Sequence, residues 1–181
     1  MSHKTITIRC KNNGRRFQAP LGSTLQEVYE LSGLTMEFGP VGANINNKSQ
    51  GLNYQFYNSN DVEFLDLHTA GGQRIYTRTL FFVLVKAAED LFPGGRLFIG
   101  APIDKGHFCE LHIGRPLTDT DAQALRSRMR EIVAADMPIH RIQCPIEEAI
   151  ELFRSRGMES KAQLLETLGD LYTYYYKLDE T

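Results

Sequence analysis

The sequence predicts an α+β protein in two parts, a small ubiquitin-like β-grasp followed by a larger α+β unit. Three observations carry this. The first 67 residues hold short strand patterns and one capped helix, separated by Asn- and Gly-rich turns. The stretch around Thr69-Ala70-Gly71-Gly72-Gln73 has almost nothing to bury. Beyond it the apolar spacing becomes that of helices interleaved with isolated strands. The expected division is therefore 1–67, a linker at 68–74, and a second domain at 75–181.

The elements follow in order. Residues 4–10 alternate, with Ile6, Ile8 and Cys10 on one face, so they form a half-buried strand. Asn12-Asn13-Gly14 can turn the chain through positive φ, and Arg16 to Ala19 returns as the hairpin partner. Ser23 or Thr24 caps a short helix carrying Leu25, Val28, Tyr29 and Leu31, and Gly33 ends it. Short strands follow at Val41–Ile45 and Val62–Leu67. Thr79 to Phe92 is apolar on nearly every side and reads as a buried helix, stopped at Pro93-Gly94-Gly95. Arg96–Gly100 and His107–Gly114 are strands around a Pro102–Gly106 turn. Thr118 to Asp121 starts an amphipathic helix whose stripe is Leu125, Met129, Ile132 and Val133. Ile139–Gln143 is a strand. Pro145 suits the first turn of a helix with Ile146, Ala149, Ile150 and Phe153 inward, ended by Gly157. A last helix is expected from about Glu159 to Tyr176.

The 20 basic and 22 acidic residues nearly cancel, so bulk charge gives no pull toward nucleic acid or membranes. Cys10, Cys109 and Cys144 are few, odd in number and widely spaced, as in a reduced protein. The start has no apolar signal segment, and the longest apolar run, Leu80 to Val85, is far shorter than the ~20 residues a membrane span needs. A cytoplasmic protein without membrane contact is expected.

Catalytic motifs are missing. There is no G-x-x-x-x-G-K-[ST] phosphate loop, no G-x-S-x-G elbow, no H-E-x-x-H and no C-x-x-C. Around Gly106, the side chains of His107, Cys109, Glu110 and His112 are all of ligand type. On a strand, however, His107 and Cys109 face one way while Glu110 and His112 face the other, so one metal cannot readily use all four. No metal is expected, and Glu110 with His112 can hold a small polar ligand. Arg126 and Arg130 share a helix face and can grip phosphate, or simply be solvated. Tyr172, Tyr174, Tyr175 and Tyr176 can stack bases or dock on a core.

Longer stretches carry a resemblance. Leu91-Phe92-Pro93 followed by Ile99-Gly100-Ala101-Pro102-Ile103-Asp104-Lys105-Gly106-His107-Phe108 resembles the LFP…IGPxIDxGFYYD segment of the threonyl-tRNA synthetase editing domain. The likeness continues through Pro116-Leu117-Thr118, Met137-Pro138-Ile139 and Glu148-Ala149. The first 67 residues resemble the TGS domain that precedes it, with Val41-Gly42-Ala43-Asn44-Ile45-Asn46 and Asp61-Val62-Glu63-Phe64. In that family the long helix carries H-x-x-x-H of the editing site, and the matching positions here are Arg78 and Phe82. Neither is an imidazole ligand or base. The family's later C-x-x-x-H would fall beyond residue 181.

The same pair of domains precedes a P-loop kinase in a bacterial group of uridine or nucleoside kinases. The opening Tyr76-Thr77-Arg78-Thr79-Leu80-Phe81-Phe82 and Cys109-Glu110-Leu111 resemble that group. The resemblance thus implies a non-catalytic regulatory or ligand-binding module, with an editing-like domain cut short and a kinase domain beyond Thr181. ATP and Mg would belong only to that kinase domain, which would also be the partner, together with a small nucleotide-like ligand. The alternatives are a diverged editing-like or RNA-binding module that contacts tRNA, and a protein-interaction module. Ligand-binding candidates are Arg78, His107, Glu110 and His112, in a pocket between the long helix and the His107–Gly114 strand. No catalytic residue is assigned.

Overall fold

The computed structural model describes residues 4–104 and 106–178. The chain divides into two compact units, Met1–Phe82 and Val83–Thr181.

In the first unit, strand alternation turns Ile6, Ile8 and Cys10 of β1 (Thr5–Cys10) into the core. The Asn-Asn-Gly turn leads to β2 (Arg16–Pro20), which pairs antiparallel with β1. Thr24 is the N-cap of α1 (Leu25–Ser32), its hydroxyl accepting from the Glu27 N–H while the Glu27 carboxylate accepts from the Thr24 N–H. Gly33 closes the helix at φ 67°, a left-handed position that a Cβ would strain. The open end of α1 is sealed from the hairpin turn, since Asn13 and Arg15 both donate to the Ser32 carbonyl. β3 (Gly42–Ile45), β4 (Lys48–Gln50) and β5 (Asn60–Leu65) complete a sheet of order β2-β1-β5-β3-β4, with β5 parallel to β1. Leu25, Val28, Phe56, Val62 and Phe64 fill the space between α1 and the sheet. This is the expected β-grasp.

The expected linker is not one. Residues 70–74 open α2 (Ala70–Leu91), which starts nine residues before the sequence pattern suggested. Thr69 caps it, accepting from the Gly72 N–H through Oγ1. Gly71 and Gly72 have nothing to bury because they are what is approached: a Cβ on Gly72 would stand 1.8 Å from the Asp66 carbonyl oxygen. Nor is the later part of α2 buried all round. Val83, Ala87 and Ala88 are buried, whereas Leu80 is exposed. The division between the units falls within this helix.

In the second unit β6 (Arg96–Ile103) and β7 (Gly106–His112) form an antiparallel hairpin with an irregularity between Ile99 and Pro102. α3 (Asp119–Ala134) opens with a capping box of Thr118 and Asp121. Of its expected stripe, Ile132 is buried against Val83 and Ala87, and Leu125 and Met129 pack alongside, but Val133 is exposed. β8 (Ile139–Pro145) leads into α4 (Ile146–Ser155), with Pro145 at the N-cap rather than inside the first turn. α5 (Glu159–Leu168) ends at Gly169 in the left-handed region. The helix expected to reach Tyr176 therefore stops short. Tyr172–Leu178 is instead β9, paired antiparallel along the whole of β8. Among the described residues no helix is long and apolar enough to cross a membrane.

Candidate functional site

The β6–β7 register decides which side chains of the hairpin meet. Arg96 stands opposite His112 and Phe98 opposite Glu110, so these four share one face. Cys109 and Leu111 point to the other, where Leu111 is buried. On the first face His112 Nε2 lies 3.1 Å from a Glu110 carboxylate oxygen, and the imidazole sits edge-on to Phe98 with ring centroids 5.3 Å apart. The Arg96 guanidinium has no ion-pair partner among the described residues. An open depression of about 650 Å³ runs beside this face, lined by Phe92 to Gly95, Arg96, Phe98 and the His112–Arg115 segment.

Arg115 borders the depression but is already committed. Its two terminal nitrogens bind the two oxygens of Asp121 at 2.6 and 2.8 Å. That fork, with the backbone N–H and hydroxyl of Thr118, holds the Asp121 carboxyl well below the usual carboxylate range. Asp90, on α2, is partly buried, which pushes its carboxyl up. Lys86 and Arg128 outweigh this and hold it below its ordinary value. Burial raises the Cys144 thiol, and Glu148 adds to the shift.

The four expected ligand-binding residues fall in both units, one in the first and three in the second. Arg78 is exposed on α2 in the first unit, in the third turn, so it does not serve as a charge at the helix start. His107, Glu110 and His112 lie in the second unit, where Glu110 and His112 meet. Of the four, His112 alone lines the depression, whose remaining wall comes from the Phe92–Arg96 turn, Phe98 and the Ile113–Arg115 segment. Arg96 was missed because only pairing of the two strands sets it opposite His112. Among the described residues no group of three His, Cys, Asp or Glu side chains is placed to hold a metal.

Arginines elsewhere in the second unit divide by use. Arg128 binds Asp90 and Glu131, and Arg154 binds Glu159 and Glu166. Arg126 and Arg130 are exposed on α3 without an acidic partner among the described residues. In the first unit a smaller depression of about 500 Å³ is bordered by Arg9, Lys11 and Arg16, with Arg9 3.6 Å from Asp61.

Against known proteins the chain is similar to threonine–tRNA ligases. That of Syntrophomonas wolfei is 31% identical over 165 residues, 91% of this chain and 26% of the ligase. That of Caldanaerobacter subterraneus is 27% identical over 172 residues, 94% of this chain. That of Acetivibrio thermocellus is 26% identical over 160 residues, 87% of this chain. The chain spans about a quarter of the length of these relatives. No family model matches it. The relatives support the TGS and editing-like reading of the two parts, and they overturn the nucleoside- or uridine-kinase reading. Of the residues that suggested a kinase, Tyr76 to Phe82 and Cys109 to Leu111, several (Tyr76, Arg78, Thr79, Leu80, Cys109 and Glu110) are exposed, where side chains are weakly constrained by packing, while Leu111 is buried.

Proposed function

We propose that this chain is an RNA-binding module of the aminoacyl-tRNA-synthetase type, with tRNA as its partner and without the hydrolytic histidine pair of an editing domain. The similarity of nine-tenths of the chain to threonine–tRNA ligases carries the reading. Arg78 and Phe82 stand four residues apart on α2, where the resembling family has its H-x-x-x-H. A guanidinium stays protonated at neutral pH and a phenyl ring has no proton to exchange, so neither can activate water. Arg126 and Arg130, one helical turn apart and without an acidic partner among the described residues, have the spacing and charge to contact neighbouring phosphates.

A gel-shift titration with tRNA at increasing salt tests this. Binding at about 50 mM salt that weakens steeply toward 200 mM is expected, because each phosphate contact releases counterions. Arg126→Gln with Arg130→Gln should lower the slope of log affinity against log salt by about 2, close to one unit for each arginine removed. A wild-type chain that gives no salt-sensitive shift at about 50 mM overturns the reading.

A further inference from the structure

The β8–β9 ladder carries a face that the proposed RNA contact does not yet use. Strand geometry sets Tyr172, Tyr174 and Tyr176 on one side of β9 and turns Thr173 and Tyr175 to the other. Tyr175 packs against Phe153 of α4, with ring centroids 6.3 Å apart. The other three rings stay 59%, 49% and 57% exposed. Across the ladder Tyr172 pairs with Pro145, Tyr174 with Gln143 and Tyr176 with Arg141. The Arg141 guanidinium lies over the Tyr174 ring, 3.9 Å from its centroid.

We propose that this face of β8–β9 is a stacking platform for unpaired RNA bases. The proposal rests on the RNA reading above and names the part of the RNA that this surface takes. Successive rings follow one another every second residue, a step of roughly 6.6 Å along the strand. A nucleotide of an extended single strand can bridge that step, so neighbouring bases can each find a ring. Tyrosine offers a flat face that any base can cover, and aromatic side chains on an open sheet are a recurrent way to hold two or three unpaired bases. The charge agrees: Arg141 supplies a cation, Gln143 hydrogen-bonding groups, and no carboxylate of either strand lies on this face. A paired helix would keep its bases stacked on each other and leave the rings unused.

Binding of a labelled, unstructured eight-nucleotide RNA, read by fluorescence anisotropy at low salt, is the test. Tyr174→Ala should weaken it about tenfold and the triple change at 172, 174 and 176 to Ala by at least a hundredfold, at roughly 1–3 kcal/mol per stacked base. Tyr174→Phe keeps the ring and should bind like wild type. Circular dichroism of each variant checks that β8–β9 remains folded. Should an alanine variant unfold, quenching of wild-type tyrosine fluorescence by the RNA decides instead, and no quenching overturns the platform. Equal binding by folded wild type and Tyr174→Ala also overturns it. If tRNA is shifted but the short RNA is not bound, the platform falls and the RNA reading stands. If neither binds, both fall.

Discussion

Thr24 and Thr118 perform the same task in different units, each accepting from the backbone three residues on while an acidic side chain returns the bond. Such a cap contributes about 1 kcal/mol. At Thr118 the acidic partner, Asp121, is also gripped by Arg115, and this gives the second unit an acid sensitivity. The folded carboxyl ionises below the 3.8 of an ordinary aspartate, so in acid the unfolded chain binds more protons than the folded one. The contribution is complete above about pH 5 and declines as the pH falls through 3.8 toward the lowered folded value. Asp121→Asn should therefore lower the urea midpoint at pH 7, and its deficit against wild type should shrink steadily between pH 5 and pH 2. A deficit constant across that range would show that the Arg115 pair contributes nothing. Residue-level chemistry of this kind is legible in the sequence: the Thr118–Asp121 start and the Glu110/His112 face follow from spacing alone. Arg96 is not, because its relation to His112 exists only once two strands have chosen a register.

At the scale of elements, two segments depart from their sequence pattern for opposite reasons. The start of α2 is hidden because its helix signal is one threonine, and its glycines serve a tertiary approach that local pattern cannot display. Gly72→Ala would drive a methyl into the Asp66 carbonyl, and backbone cannot yield as a flexible side chain does. The change should cost about 3 kcal/mol in the urea-derived stability of the first unit, with less helix by circular dichroism. β9 is hidden because Glu159 to Tyr176 permits helical spacing, although Gly169 and the β-favouring tyrosines both argue for a stop. In contrast, β1, β2 and α1 are legible from end to end. Their turn does more than reverse the chain: the Asn12 side chain both donates to and accepts from Phe64 of β5, substituting for a ladder residue.

For the whole molecule, the contrast between the units lies in what they bury. The first has Ile8, Leu25, Val28, Phe56 and Val62 at 0% exposure, while the fully buried apolar residues described in the second are one isoleucine, Ile132, and the alanines Ala87, Ala149 and Ala162. A fully buried branched or aromatic side chain contributes about 1.5–3 kcal/mol and an alanine far less, so the units should differ in local stability. Hydrogen exchange followed by mass spectrometry should find the slowest amides in β1 and β5, with β6–β7 exchanging well before them. Uniform protection across both units would contradict this. The β-grasp is the most legible part of the chain because its core is written in large apolar residues at strict intervals. The second unit is less so, since much of its apolar surface, including the β9 tyrosines, is not sequestered. The cysteines sample this contrast. Cys10 and Cys144 are buried, and burial raises the Cys144 thiol further from reactivity, while Cys109 is exposed on β7. The native sequence thus offers a chemically distinguished attachment point for a maleimide dye beside the Glu110–His112 face, so events at that hairpin can be followed optically without altering a residue.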